Sequence, residues 1–145
     1  MRVYFDSSVL VRLYVQETGS DATHDFFDQY QHPVNINALQ EFEIRNSVRQ
    51  KVVRMEIAEG VAVAALRAFD DDVVCRRVLR TPLEWAEIYE EGENLSRRWA
   101  IRHVCRAIDL LHVAIAIASD VRDFATADKD QGDFARAAGL KVVRF

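Results

Sequence analysis

The sequence has few of the residues that mark secreted, disulfide-bonded or thiolate–metal proteins. It contains two cysteines, Cys75 and Cys105, and neither has a second cysteine or a histidine at the spacing of a zinc site. We therefore expect reduced thiols in the protein core and a cytoplasmic protein. Met1 and Arg2 lead directly into an apolar segment, so we expect no signal peptide.

Long hydrophobic runs and an excess of positive charge are also missing. The longest strongly apolar run, residues 110–118, includes His112 and is too short to span a bilayer. The formal net charge is −4 at pH 7, whereas proteins that coat nucleic acids are often basic. These features argue against a membrane protein and against general RNA or DNA coating. They allow an enzyme that has a local basic surface and a bound divalent cation.

What the sequence does contain is typical of one folded domain. Its 145 residues are 50% hydrophobic and 29% charged, with no linker, repeat or low-complexity tract. Apolar strand patterns alternate with helical patterns along the chain. The predicted strands are 3–5, 34–39, 123–128 and 141–145, with 73–79 a strand or an extended connection. The predicted helices are 9–15, 22–30, 39–53, 56–69, 81–102, 107–119 and 129–139; the segment 81–102 could instead form two helices, with Gly92 as a weak point. This alternation predicts an α/β fold, a three-layer α/β/α sandwich around a parallel sheet, formed as a single domain over residues 1–145.

Four acidic residues occupy positions from which they could converge at one edge of that sheet. Asp6 and Asp128 follow apolar strands, and the carboxyl ends of parallel strands form the usual ligand-binding edge. Glu43 lies near the start of the helix after the second strand, and Asp109 lies in the first turn of a strongly apolar helix. Each acid also has a simpler interpretation. Asp6 and Asp128 could cap helices, Asp109 could be favoured by its helix dipole, and Glu43 could face water.

Clustered carboxylates indicate a particular class of cofactor. Mg²⁺ and Mn²⁺ are hard cations that prefer oxygen ligands, so we expect one or two such ions rather than zinc. An acidic site of this kind suits phosphodiester hydrolysis, because the cation activates water and stabilises charge on the phosphate.

The order of these motifs resembles that of the PIN-domain ribonucleases, in particular the VapC-like toxins of bacterial toxin–antitoxin pairs. The resemblance covers the whole chain and depends on four segments: Val3-Tyr4-Phe5-Asp6-Ser7-Ser8, Glu43-Ile44-Arg45-Asn46, Asp109-Leu110-Leu111-His112-Val113-Ala114 and Thr126-Ala127-Asp128. Glu41 lies two positions before Glu43, and the spacing to Asn46 favours Glu43. The long segment 70–106 matches no diagnostic motif.

The resemblance implies a metal-dependent endoribonuclease whose four acids, Asp6, Glu43, Asp109 and Asp128, surround the Mg²⁺ or Mn²⁺ ions. Ser7 and Thr126 are candidates for supporting positions around them. The implied partners are an RNA substrate, a small antitoxin protein and a second copy of the chain in a homodimer. A PIN-like module that only binds RNA or a protein is the alternative. A phosphotransfer domain is a weaker one, because Ser8 stands where a haloacid-dehalogenase-like phosphatase has its second aspartate.

Two surfaces are candidates for binding partners. Arg98, Arg102 and Arg106 are spaced by four, so a continuous helix would align them as a ridge that could hold the phosphates of a single-stranded loop in a structured RNA. The simpler interpretation is a solvated helix face paired with nearby glutamates. The apolar helices of residues 39–69 are the candidates for the dimer or antitoxin surface.

Overall fold

The computed structural model describes residues 3–145 and divides the chain into two compact units. One unit, here called the terminal unit, consists of the chain up to Asp6 together with Leu83–Phe145. The other, the middle unit, is Ser7–Pro82. Among the described residues, no helix is both long and apolar enough to cross a membrane.

The terminal unit is built on a three-stranded parallel sheet of β1 (Val3–Phe5), β4 (Asp123–Thr126) and β5 (Lys141–Arg144), in the order β1-β4-β5. Val3 pairs with Asp123 and Phe5 with Ala125, so β1 and β4 run in register toward the same edge. Its elements are β1 (Val3–Phe5), α5 (Trp85–Leu95), a π-helix (Ser96–Ala100), α6 (Ala107–Ala118), β4 (Asp123–Thr126), α7 (Lys129–Ala137) and β5 (Lys141–Arg144). Helix α6 is buried over most of its surface, as its apolar sequence predicts.

The middle unit contains a two-stranded parallel sheet and four helices. Its elements are α1 (Ser7–Val11), α2 (Ser20–Gln29), β2 (Val34–Ile36), α3 (Ala38–Val53), α4 (Glu59–Val74) and β3 (Val78–Arg80). Asn37 and Gln40 form a capping box at the start of α3, in which each side chain accepts the other residue's backbone N–H. The predicted α/β class with parallel strands is confirmed.

Several predicted helix boundaries are wrong, since α1 ends at Val11 rather than at residue 15 and α4 begins at Glu59 rather than at residue 56. Helix α4 continues through residues 70–72, which were expected to end it, because Asp70 pairs with Arg45 and Asp72 pairs with Arg77. The next helix begins at Trp85 rather than at Thr81. The backbone N–H of Thr81 donates to the carbonyl of Ile36 at 2.7 Å, which extends the pairing of β3 with β2 past Arg80.

The predicted arginine ridge does not form, because the helix that would carry it ends. Helix α5 gives way to the π-helix at Ser96, and irregular chain follows before α6. Arg98 lies in the π-helix with its guanidinium 5.0 Å from the centre of the Trp99 ring. Arg102 lies in a turn, and Arg106 is the N-cap of α6. All three arginines are exposed, but they do not share a helix face.

Candidate functional site

The parallel pairing of β1 with β4 places two of the predicted acids at one edge of the terminal sheet. The backbone N–H of Asp6 donates to the carbonyl of Ala125 at 2.8 Å, so the pairing continues one residue past the end of β1. Asp128 follows β4 by two residues and is the N-cap of α7. Asp6 is 6% exposed, whereas Asp128 is exposed.

The buried carboxylate of Asp6 is approached by two polar side chains. His112 places Nε2 3.5 Å from Asp6 Oδ1, and its Nδ1 lies 2.7 Å from the hydroxyl of Tyr4. Gln131 donates from Nε2 to the same Asp6 oxygen at 3.3 Å. The carboxylate favours the histidine tautomer that carries its proton on Nε2, and the Tyr4 hydroxyl then donates to Nδ1. His112 is therefore a buried histidine that is hydrogen-bonded to Tyr4.

Asp109 senses the charge of both strand-end aspartates. Burial raises the pKa of its carboxyl, and the negative charges of Asp6 and then Asp128 raise it further. A hydrogen bond from the backbone of Arg106 opposes this rise, so Asp109 also supports the start of α6, as its simpler interpretation holds. The structure thus brings Asp6, Asp109 and Asp128 within electrostatic reach of one another.

The expectation that both cysteines lie in the core is wrong, because Cys75 is exposed and only part of Cys105 is buried. Burial raises the pKa of the Cys105 thiol to about 12, and Asp109 and Asp128 add to the effect. A thiol in this environment stays protonated at neutral pH, so Cys105 is not a thiolate ligand or nucleophile there.

Asp128 performs the capping role that its position allows. Its Oδ1 accepts the backbone N–H of Gln131 at 2.9 Å, and its own N–H donates to Thr126 Oγ1 at 3.0 Å. Thr126 is fully buried, and its hydroxyl donates to Gln131 Oε1 at 2.5 Å. Gln131 is the residue that the sequence analysis missed, and its only sequence signal is its place three residues after an aspartate N-cap.

Glu43 belongs to the middle unit, where it lies on α3 and is half-buried. It accepts a hydrogen bond from Ser7 Oγ at 2.9 Å, and Ser7 is the residue that follows Asp6 in the sequence. The neighbouring Glu41 has a different role, because its carboxylate binds Arg80 at 2.7 Å and Arg45 at 3.0 Å. These contacts distinguish the two glutamates. That Glu43 joins the three aspartates stays a prediction.

The three aspartates of the terminal unit have the chemistry of a site for a hard divalent cation. They offer oxygen donors only. Burial is the largest cause of the raised pKa of Asp109, and the negative charges of Asp6 and Asp128 add to it. Within residues 3–145, no three His, Cys, Asp or Glu side chains are grouped closely enough to hold an ion as they stand. The donor set fits Mg²⁺ or Mn²⁺ better than a softer metal.

Three solved structures of bacterial proteins are similar to this one over nearly the whole chain. The crystal structure of VapBC2 from Rickettsia felis bound to a DNA fragment from their promoter matches with a TM-score of 0.70 at 14% identity, covering 99% of this chain and 98% of the other. The crystal structure of FitAcB from Neisseria gonorrhoeae matches with a TM-score of 0.66 at 17% identity, covering 99% of this chain and 97% of the other. VapC20 from Mycobacterium tuberculosis matches with a TM-score of 0.66 at 18% identity, covering 99% of both chains. That protein is described as a Sarcin-Ricin loop cleaving toxin. At such low identity these matches establish the fold.

Family membership follows from the sequence itself. No curated protein matches the chain. The family model of the PIN domain, whose members generally use divalent metal ions, matches residues 3–140, which include all four predicted acids. The chain belongs to the PIN domain family.

Proposed function

We propose that this protein is a metal-dependent endoribonuclease that hydrolyses phosphodiester bonds in RNA, with residues 1–145 acting as one PIN-like nuclease domain. The observation that carries the proposal is the electrostatic coupling of Asp109 to Asp6 and Asp128. An enzyme gains nothing in stability from gathering like charges, whereas a divalent cation would turn their repulsion into attraction.

The chain's own residues divide into ligands and supporting groups. Asp6 and Asp109 would hold the principal Mg²⁺ or Mn²⁺ ion, and Asp128 and Glu43 would complete the acidic site or orient a second ion or the attacking water. When bound, the cation supplies an activated water and stabilises charge on the phosphate and the leaving oxygen. Ser7 supports Glu43 by its hydrogen bond, and Thr126 supports the Asp128 backbone.

The substrate proposed here is a single-stranded loop of a structured RNA. Unpaired nucleotides can bend into an acidic site and present their bases, whereas a regular duplex cannot. One structural neighbour is described as cleaving the Sarcin-Ricin loop, which supports this substrate class. Arg98, Arg102 and Arg106 are exposed near the ends of α5 and α6 and could contact phosphates separately, although they do not form a ridge.

The proposed biological context is a cytoplasmic toxin that a small antitoxin protein holds inactive. Two neighbours, VapBC2 and FitAcB, come from systems of this kind, which supports an antitoxin partner. We further propose a homodimer. Helices α3 and α4 expose large apolar side chains that a dimer partner or an antitoxin could cover, namely Phe42, Val53, Val61, Val63 and Val74.

A cleavage assay tests the enzyme assignment. Purified protein is incubated with a stem-loop RNA and with the same sequence annealed to its complement, in Mg²⁺ or Mn²⁺ and then with excess EDTA. We expect cleavage in the loop, no cleavage in EDTA, and a loss of at least about 100-fold in Asp6→Asn and Asp109→Asn. Asp25→Asn, an exposed aspartate on α2, is the matched control and should retain the parent rate.

A non-catalytic PIN-like binding module is the second candidate. Asp109 and Asp128 each make a helix-start hydrogen bond, so both could be retained for folding alone. A protein that binds the stem-loop RNA but never cleaves it with either cation would support this candidate and refute the nuclease.

A further inference from the structure

The side chain of Gln131 joins two of the predicted ligands from inside the protein. It is 1% exposed and lies in the first turn of α7. Its Nε2 donates to Asp6 Oδ1 at 3.3 Å, and its backbone N–H donates to Asp128 Oδ1 at 2.9 Å. One residue therefore contacts the aspartate after β1 and the aspartate after β4.

The orientation of this amide follows from the hydrogen bonds around it. The Thr126 hydroxyl accepts the backbone N–H of Asp128, so its single proton is available for Gln131 Oε1. With Oε1 occupied as the acceptor, the NH₂ group of the amide faces Asp6. A chain of hydrogen bonds thus runs from the Asp128 backbone through Thr126 and Gln131 to the Asp6 carboxylate.

The start of α7 does not need this side chain for its cap. In α3, Gln40 occupies the same third position, and its side chain accepts the N–H of the N-cap residue Asn37. In α7 the corresponding N–H of Asp128 donates to Thr126, and the cap bond to Asp128 uses the backbone of Gln131. The amide that completes a cap in α3 is therefore directed in α7 onto a carboxylate.

We propose that Gln131 is a positioning residue that fixes the Asp6 carboxylate relative to Asp128, so that both are presented to a divalent cation. This inference rests on the proposed function. Gln131 would not touch the cation or the RNA. It would act by restricting the Asp6 side chain, as the outer partners of metal ligands do, and loss of such partners typically lowers metal affinity 10- to 100-fold.

The test compares Gln131→Met with Gln40→Met. Methionine has nearly the same volume and no amide, and both glutamines are buried at the third position of a helix. Mn²⁺ affinity is measured by calorimetry without RNA, and thermal unfolding is followed in EDTA. We expect Gln131→Met to weaken Mn²⁺ binding about tenfold or more. Gln40→Met should lower the unfolding temperature, because it breaks a capping box, and should leave Mn²⁺ affinity unchanged.

Thr126→Val keeps the inference testable if Gln131→Met folds poorly, and the two changes together form a double-mutant cycle if both variants fold. Thr126→Val removes the hydroxyl that orients the amide, so alone it should also weaken Mn²⁺ binding. Adding Gln131→Met to Thr126→Val should weaken it little further, because both changes break one chain of hydrogen bonds. Cleavage should show a lower kcat at an unchanged KM for RNA, since neither side chain contacts the substrate.

Each outcome has one meaning. If the parent protein binds Mn²⁺ and Gln131→Met or Thr126→Val binds it equally well, Gln131 is a packing residue and the inference is wrong. If the parent protein neither binds Mn²⁺ nor cleaves RNA, the proposed function fails first, and the inference fails with it.

Discussion

Replacing Glu41 by glutamine should destabilise the protein without weakening the proposed cation site. The carboxylate of Glu41 binds Arg80 at 2.7 Å and Arg45 at 3.0 Å, and Arg45 continues to Asp70. These contacts connect α3 with the residue that ends β3 and with α4. The hydrogen bond from Arg80 is the largest cause of a depressed pKa, which falls from the usual 4.5 to about 2, and Arg45 adds to it.

The loss of stability expected for Glu41→Gln can be estimated from the lowered pKa of Glu41. One pKa unit corresponds to about 1.4 kcal/mol, so a shift of this size allows at most ~3 kcal/mol of stabilisation. The Arg80 side chain is 56% exposed, and solvent screens its interaction with Glu41. We therefore expect Glu41→Gln to lower the free energy of unfolding by about 1–2 kcal/mol at pH 7.

The stabilisation that Glu41 contributes should depend on pH. Because the folded-state pKa is lowered, the stabilisation is complete above the unfolded value of 4.5 and is lost as the pH falls toward about 2. Urea unfolding of the parent and Glu41→Gln at pH 7 and pH 3 should therefore show a gap that shrinks to roughly half or less. An equal gap at both pH values, or no gap at pH 7, would refute the reasoning.

The matched variant is Glu43→Gln, two residues along the same helix. Glutamine can still accept the Ser7 hydroxyl, so this change should cost less stability than Glu41→Gln. If Glu43 belongs to the proposed cation site, Glu43→Gln should weaken Mn²⁺ binding while Glu41→Gln leaves it unchanged. The reverse pattern would exchange the roles assigned to the two glutamates.

Two further variants probe the terminal unit. Asp109→Asn should raise the unfolding temperature in EDTA at pH 7, because burial and neighbouring negative charge raise the pKa of Asp109 and disfavour its ionised form. The difference in unfolding temperature between this variant and the parent should diminish as the pH falls, because the parent carboxyl then becomes protonated. Excess Mn²⁺ should stabilise the parent more than this variant, and a parent that stays the more stable protein in EDTA would contradict the account. Gly92→Val should lower the free energy of unfolding by about 1–3 kcal/mol, since a Cβ at Gly92 would already be in van der Waals contact with Leu110 Cδ2 at 3.4 Å and the two methyl groups of valine would need further room. Gly60→Val is its control in urea unfolding, because a Cβ there meets nothing within 4 Å, and equal losses at both positions would exclude crowding as the cause.

The sequence was sufficient to predict features that depend on local pattern. The apolar run of α6 predicted a buried helix, and the acids after β1 and β4 were expected at one sheet edge because parallel strands end together. The predictions failed where a distant partner overrides local preference. Asp70 and Asp72 look like a helix end, but Arg45 and Arg77 neutralise them and α4 continues.

The supporting network around the site could not be predicted for a related reason. Gln131 is 125 residues from Asp6, and its spacing to Asp128 indicates only a helix cap. The arginine ridge illustrates the opposite error, because a regular spacing was extended through Ser96, where the chain adopts a π-helix. Helical spacing aligns side chains only while the helix continues.

The cap that Asp128 provides for α7 limits which residues can replace it in other members of the family. Selection for a stable α7 would retain an oxygen acceptor at this position even in a relative that no longer cleaves RNA. Asparagine would satisfy the Gln131 backbone N–H equally well while removing the charge, so descent from active nuclease to inactive binding module would be marked by Asp-to-Asn exchange at this position.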